Sequence, residues 1–325
     1  MLRFDAHAHA IHAETGPAAR EAATTLMAHQ GFAGSVPGAG WSIEGALEFM
    51  DERGIAMQLL SMPAALDAER ARQWNRQTAA VVAAHPDRFG LLAALPMAQP
   101  DRAVEEIRFA LDELNADGFA VATNYDGLYL GDPRFDAVFA ELNRHRSTLF
   151  VHPALPPGFD HLGLGRPGPL IEYPMDTART IVDAVFAGVL LRYPDVALLL
   201  AHAGGVLPTL QQRIALLGVE PWVANPLKLT SDQIREQLAA LYLDTAIAGS
   251  PASIGPALEM VGIEHIVFGT DYPPAGLETI DQTVADLTKT LPRQDRDLLE
   301  GVFRRLFPNA GARASSPIQT TLQRP

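Results

Sequence analysis

The chain has 325 residues, 48% of them hydrophobic and 19% charged, which gives enough apolar material for a sizeable core and argues against disorder. Its net charge of −13 opposes a general role on nucleic acid or an anionic membrane, since both partners need basic patches, although a small anionic substrate is still compatible. The absence of cysteine excludes disulfides, thiolate zinc sites and cysteine nucleophiles, so any metal site must use His, Asp or Glu.

Short apolar runs alternate with amphipathic stretches along the chain. The first run is "LRFDAHAH" (2–9), with no signal-peptide core after Arg3 and Asp5. A long connection, 10–41, follows it and is a candidate active-site loop. "SIEGALEFMDERG" (42–54) has a serine cap and a terminal glycine, and so reads as a helix. Next come the run "IAMQLLSM" (55–62), the helix-like 68–88, "FGLLAALPM" (89–97), the helix-like 103–118 and "GFAVATN" (118–124). The helix-like 133–146 precedes "TLFVHP" (148–153), and a second long connection, 154–175, leads to a helix over 176–195. The last three runs are "VALLLAHAGG" (196–205), "LYLDTAIAG" (241–249) and "HIVFGTDYP" (265–273).

Each run resembles a strand buried on both faces. Eight such strands with intervening helices predict an α/β fold, a single-domain (β/α)8 TIM barrel, over 1–308; an open doubly wound sheet is the alternative. Residues 309–325 are expected to be a tail, either loose or an arm toward another subunit. No apolar run reaches the roughly 18 residues of a membrane span, so a soluble cytoplasmic protein is expected. "GLGRPG" (163–168) matches a dinucleotide-loop pattern, but the nearest strand ends about ten residues earlier and prolines delay the next helix.

His7 and His9 are two apart, so on a strand they share a face. His152, His202 and Asp271 each close a buried apolar run. In a parallel barrel those ends meet around one mouth, where barrel enzymes place their chemistry. A buried His or Asp there is costly without a partner, and a shared metal ion would supply one. Separate hydrogen bonds at the rim remain the alternative for each residue taken singly.

"DAHAH", "VHP", "AHAGG" and "FGTDYP", in this order, resemble the amidohydrolase superfamily and, within it, the aminocarboxymuconate-semialdehyde decarboxylase-like branch. "EYPMDTART" and "HAGGVLPTLQQR" look most like the 6-methylsalicylate decarboxylase group. The resemblance covers roughly 1–308. It implies His7, His9, His152 and Asp271 as metal ligands, His202 as an acid/base group outside the ligand set, and a homodimer or higher homo-oligomer. The fourth run ends "AVATN", without the bridging lysine or glutamate of binuclear relatives, which favours a single ion. The H-x-H pair begins with His7, where some resorcylate-type decarboxylases have glutamate. Three imidazoles and one carboxylate on a divalent cation leave a charge of about +1, suited to an anionic substrate. Nitrogen-rich ligation suits Zn²⁺ best, with Mn²⁺ as the alternative.

Two reactions fit this site. One is non-oxidative decarboxylation of a small hydroxybenzoate-like or related unsaturated carboxylic acid, with His202 or Asp271 delivering the proton. The other is hydrolysis of a lactone, amide or C–C bond by activated water. The resemblance favours the first, a carboxy-lyase acting on a small-molecule carboxylate. Trp41 is a candidate to stack on a substrate ring, with packing at the helix start as the competing role. His12, His161, Tyr173, Asp176 and Arg179 are placed near the mouth, and Asp176 is expected first to cap a helix beginning at Thr177. Arg179 and Arg213 are candidates to anchor a carboxylate or to face a partner subunit. Asp5 is expected either to orient a ligating histidine or to face the barrel bottom, and Asp244 is a lesser candidate for proton relay. His29, His85, His145 and His265 read as surface residues.

Overall fold

The computed structural model describes residues 3–12, 25, 27, 28, 30–33, 40–62 and 64–314. Eight strands lie parallel in one sheet, in chain order. They are β1 (Arg3–His9), β2 (Ile55–Ser61), β3 (Phe89–Ala94), β4 (Gly118–Ala122), β5 (Thr148–His152), β6 (Ala197–Leu200), β7 (Tyr242–Asp244) and β8 (Ile266–Val267). Every predicted run contains one of these strands. The order without a crossover is what successive right-handed βα units build.

Backbone bonds close the ring. Ala6 N–H donates to Phe268 O at 2.9 Å, His9 N–H to Tyr272 O at 2.8 Å and Asp271 N–H to His7 O at 2.8 Å. Asp5 supplies the rest of the seam. Its carboxylate accepts the backbone N–H groups of His7 and Thr270 at 3.1 and 3.0 Å, the Thr270 hydroxyl at 2.6 Å and the Gln58 amide at 2.9 Å. Asp5 therefore ties the first strand to the segment after the last one. It touches the main chain of His7 rather than the imidazole.

Helix α1 (Ile43–Arg53) starts at Ser42, whose hydroxyl accepts the Gly45 N–H, and ends at Gly54 in the left-handed conformation, as predicted. Then follow α2 (Ala68–Ala84), α3 (Pro100–Asp112), α4 (Asp136–Arg144), α5 (Glu172–Ala187), α6 (Leu207–Leu217), α7 (Ser231–Ala239), α8 (Pro251–Val261) and α9 (Leu277–Thr290). Helices α10 (Arg293–Leu306) and α11 (Pro308–Arg313) cover the N-terminal floor of the barrel. There Phe303, Phe307 and Ala310 pack with Phe4, Met57 and Phe150. The Phe4–Phe303 and Phe303–Phe307 ring centroids are 5.2 and 5.3 Å apart. Arg313 in α11 donates to both oxygens of Asp117 at 3.0 and 2.9 Å, just before β4.

One local prediction needs correction. Helix α5 begins at Glu172, so the buried Asp176 lies inside it and caps nothing. Pro174 falls in its first turn, where a missing N–H is tolerated. Between β4 and α4 an unforeseen hairpin pairs Asn124–Tyr125 with Leu128–Tyr129. "GLGRPG" runs from the end of a helical turn, Phe159–Leu162, into a 3-10 turn, Gly168–Leu170, with no strand directly before it.

Candidate metal centre and active site

His7 and His9 are buried at the C-terminal end of β1 and His152 ends β5. Asp271 lies four residues beyond β8 and is held at the same place by the Thr270 N–H bond to the Asp5 carboxylate and its own N–H bond to His7 O in β1. His7, His9, His152 and Asp271 each offer one ligand atom, and these atoms lie within 4.8 Å of one another. His7 Nε2 is 3.2 Å from His9 Nε2, and Asp271 Oδ1 is 3.3 Å from the first and 3.1 Å from the second.

The outer nitrogens show which way the rings are set. His7 Nδ1 faces Asp244 Oδ2 at 2.7 Å, and His152 Nδ1 faces Pro153 O at 3.0 Å. His9 Nδ1 faces Ser61 Oγ at 2.9 Å, and that hydroxyl donates onward to Ala8 O at 3.1 Å. Each Nδ1 therefore meets an acceptor, which puts the proton on Nδ1 and leaves the Nε2 lone pairs directed inward. Two Nε2 atoms 3.2 Å apart need a proton or a cation between them, and the inward-facing donor set fits a metal ion.

Burial alone would lower His7, but the charge and hydrogen bond of Asp244, with Asp271 behind, raise it to about 10. His9 is lowered and His152 lies well below its ordinary value, both chiefly through burial. Burial would raise Asp271, yet His7 and His9 beside it hold it well below its ordinary value. The metal-free cluster thus keeps one imidazolium between two carboxylates, and a cation at the centre competes with the Nε2 proton of His7.

His202 follows β6 in a short turn, with φ of 55°. Its Nε2 lies 4.0 Å from Asp271 Oδ2, and burial lowers its pKa. Its Nδ1 lies 3.4 Å from Ala246 O. Tyr173 in α5 comes to 6.4 Å of the His152 ring, and burial, with the Asp271 charge, raises its hydroxyl to about 12.

Other predicted site residues take different places. His12 pairs with Thr78 Oγ1 at 2.9 Å and stands edge-on to Trp41, with ring centroids 5.3 Å apart. The Trp41 Nε1 is buried and has no hydrogen-bond partner among the described residues. Asp176 receives bonds from Asn124 at 2.7 Å, Tyr129 at 2.8 Å and the Thr123 hydroxyl. Arg179 is 3.5 Å from Asp176 and 3.8 Å from Glu172. His161 and Arg213 are exposed. His85, His145 and His265 are partly buried and lie just before β3, β5 and β8, at the opposite end of the barrel from the cluster. His29 lies outside the described residues. Sequence reasoning missed Ser61, although it too is a polar residue closing an apolar run.

An eight-stranded parallel barrel with imidazoles and a carboxylate converging at its C-terminal mouth is a barrel of the amidohydrolase kind with a candidate metal site. The amidohydrolase family profile matches residues 4–308, and the chain belongs to that family. The decarboxylase macB of Penicillium terrestre is 32% identical over 292 residues, covering 82% of this chain and 86% of its own. The 6-methylsalicylic acid decarboxylase acuB of Aspergillus aculeatus is 34% identical over 254 residues, covering 74% of this chain and 77% of its own. Among solved structures, 5-carboxyvanillate decarboxylase of Novosphingobium aromaticivorans, in complex with manganese and a nitrobenzoic acid, shares the fold. Its TM-score is 0.77 at 18% identity, with 94% of this chain and 95% of that one covered. No helix among the described residues is long and apolar enough to cross a membrane.

Proposed function

We propose that this chain is a metal-dependent non-oxidative decarboxylase, a carboxy-lyase, of a small hydroxybenzoate-like acid of the salicylate type. The observation that carries the reading is the inward-facing donor cluster with His202 Nε2 4.0 Å from one of its members. The similarity to a 6-methylsalicylic acid decarboxylase supports the choice of decarboxylation over hydrolysis.

His7, His9, His152 and Asp271 would hold one divalent ion, and three neutral imidazoles with one carboxylate suit Zn²⁺, with Mn²⁺ the competitor named for the carboxyvanillate enzyme. The ion would supply positive charge for binding and orienting the substrate's carboxylate and ortho-hydroxyl oxygens. Asp244, buried against His7, adds a second negative charge beyond those four groups. The ion and both carboxylates together are therefore near neutral rather than about +1.

His202 is the proton carrier. Its Nδ1 turns toward Ala246 O, and its Nε2 turns toward the cluster. From the imidazolium form of His202 a proton passes from Nε2, directly or through Asp271 Oδ2, to the ring carbon that bears the carboxylate. The bond to the carboxylate then breaks, its electron pair returns to the ring, carbon dioxide leaves, and solvent reprotonates His202.

The test incubates metal-loaded protein with salicylates and with lactones. Carbon dioxide release without incorporation of solvent oxygen into the aromatic product is expected; lactone opening without decarboxylation overturns the reading. His202→Ala should keep the metal and lower kcat by about 10²–10⁴-fold. A His202→Ala protein that has lost its ion overturns the role given to His202.

A further inference from the structure

Asp244 ends β7, is fully buried and divides its two oxygens between different parts of the site. Oδ2 accepts from His7 Nδ1 at 2.7 Å. Oδ1 accepts the backbone N–H groups of His202 and Ala246, each at 2.9 Å. His202 and the next residue, Ala203, have φ of 55° and 53°, a left-handed pair that L-residues adopt only when neighbours hold them there. The Oδ1 bond is one such hold, and it fixes where the His202 ring begins.

The contact with His7 differs from those of the other two cluster histidines. His9 Nδ1 rests on a hydroxyl and His152 Nδ1 on a carbonyl, whereas His7 Nδ1 rests on a carboxylate. A carboxylate behind an imidazole fixes its tautomer and makes the far nitrogen a better donor. Gly269 completes the arrangement. A Cβ there would lie 2.8 Å from His7 Cβ, closer than packing allows, and a tight 3.1 Å from Asp244 Cβ, so the bare backbone lets the pair approach.

We propose that Asp244 is a positioning residue that sets the His7 tautomer and the His202 backbone with one carboxylate, so that metal donor and proton carrier share a single geometry. This rests on the metal reading above. It assigns Asp244 no proton-transfer step.

The test is Asp244→Asn. Two backbone N–H groups point at the Oδ1 position, so the amide oxygen must occupy it. The amide nitrogen then faces His7 Nδ1, which has to accept rather than donate. The His7 proton moves to Nε2, and its lone pair is lost from the cluster. Zn²⁺ affinity, read by competition with a chromophoric chelator, is expected to fall about 10–100-fold. In ¹⁵N–¹H spectra His7 is expected to carry its proton on Nδ1 in zinc-loaded wild type and on Nε2 in Asp244→Asn. A role in folding alone would lower Tm and leave zinc affinity unchanged, and that result overturns the assignment. If the variant does not fold, the wild-type spectrum still decides, because zinc bound through Nδ1 of His7 overturns it. Wild-type protein that takes up no zinc or manganese overturns the metal reading and this assignment with it. Tight wild-type binding matched by Asp244→Asn overturns this assignment only.

Discussion

The two ends of the barrel are built on opposite terms. At the floor, Phe4, Phe303, Phe307 and their neighbours form a close-packed apolar cluster under α10 and α11. Each such ring contributes on the order of 1.5–3 kcal/mol when removed from water. At the mouth, His7, His9, His152, Asp244 and Asp271 are buried together, and His202, Ala203 and Asp271 hold left-handed backbone. Burying charge costs several kcal/mol per group before pairing, and each left-handed residue costs about 1–2 kcal/mol more. The difference teaches that folding free energy gained at one end offsets unfavourable burial at the other, where the geometry serves chemistry.

The comparison can be broken most severely at the mouth. His9→Ala removes one inward lone pair and should abolish metal uptake, with turnover falling at least about 1,000-fold. Metal analysis and carbon dioxide release check this. At the floor the signs reverse. Phe307→Ala should cost about 3–5 kcal/mol in denaturant unfolding while leaving kcat per folded molecule unchanged.

The seam between the two ends gives a sharper probe through pH. Burial raises the Asp5 carboxyl to about 6, against the pull of its hydrogen bonds. The folded protein then keeps a proton that the unfolded chain releases, so this group favours folding increasingly as pH falls from about 6 toward 4. The gain is up to about 3 kcal/mol. Unfolding of metal-free protein across that window should show the gain in wild type and lose it in Asp5→Asn. Parallel profiles would assign the slope to other groups.

Much of this was legible in the sequence because a strand buried on both faces leaves an unbroken apolar run, and a polar residue closing such a run has few reasons to be there. That logic brought residues 7, 9, 152 and 271 to one place from 264 residues of separation. It applied equally to Ser61, the last residue of β2, which is buried against His9 and passed unnoticed among stronger donors. Other features left no such trace. Strand β8 is two residues long, and beyond it Thr270 and Asp271 give their N–H groups to Asp5 and His7, contacts that only the closed ring creates. The start of α5 was hidden by Pro174, which reads as a breaker but sits harmlessly in a first turn. The hairpin after β4 did carry a local signal, Asp126-Gly127, both with positive φ. The partners Pro153 O and Ala246 O are main-chain atoms, invisible to any reading by residue type.

The Asp5–Thr270 seam has a consequence in time. Its partners are 265 residues apart, among the longest-range contacts the chain makes, and loop closure places such contacts late in folding. Asp271 is the next residue along, so the carboxylate that completes the donor set arrives together with the closure of the ring. A chain still being synthesised presents the three histidines long before it presents Asp271. Acquisition of the full site therefore reports that the last strand is home.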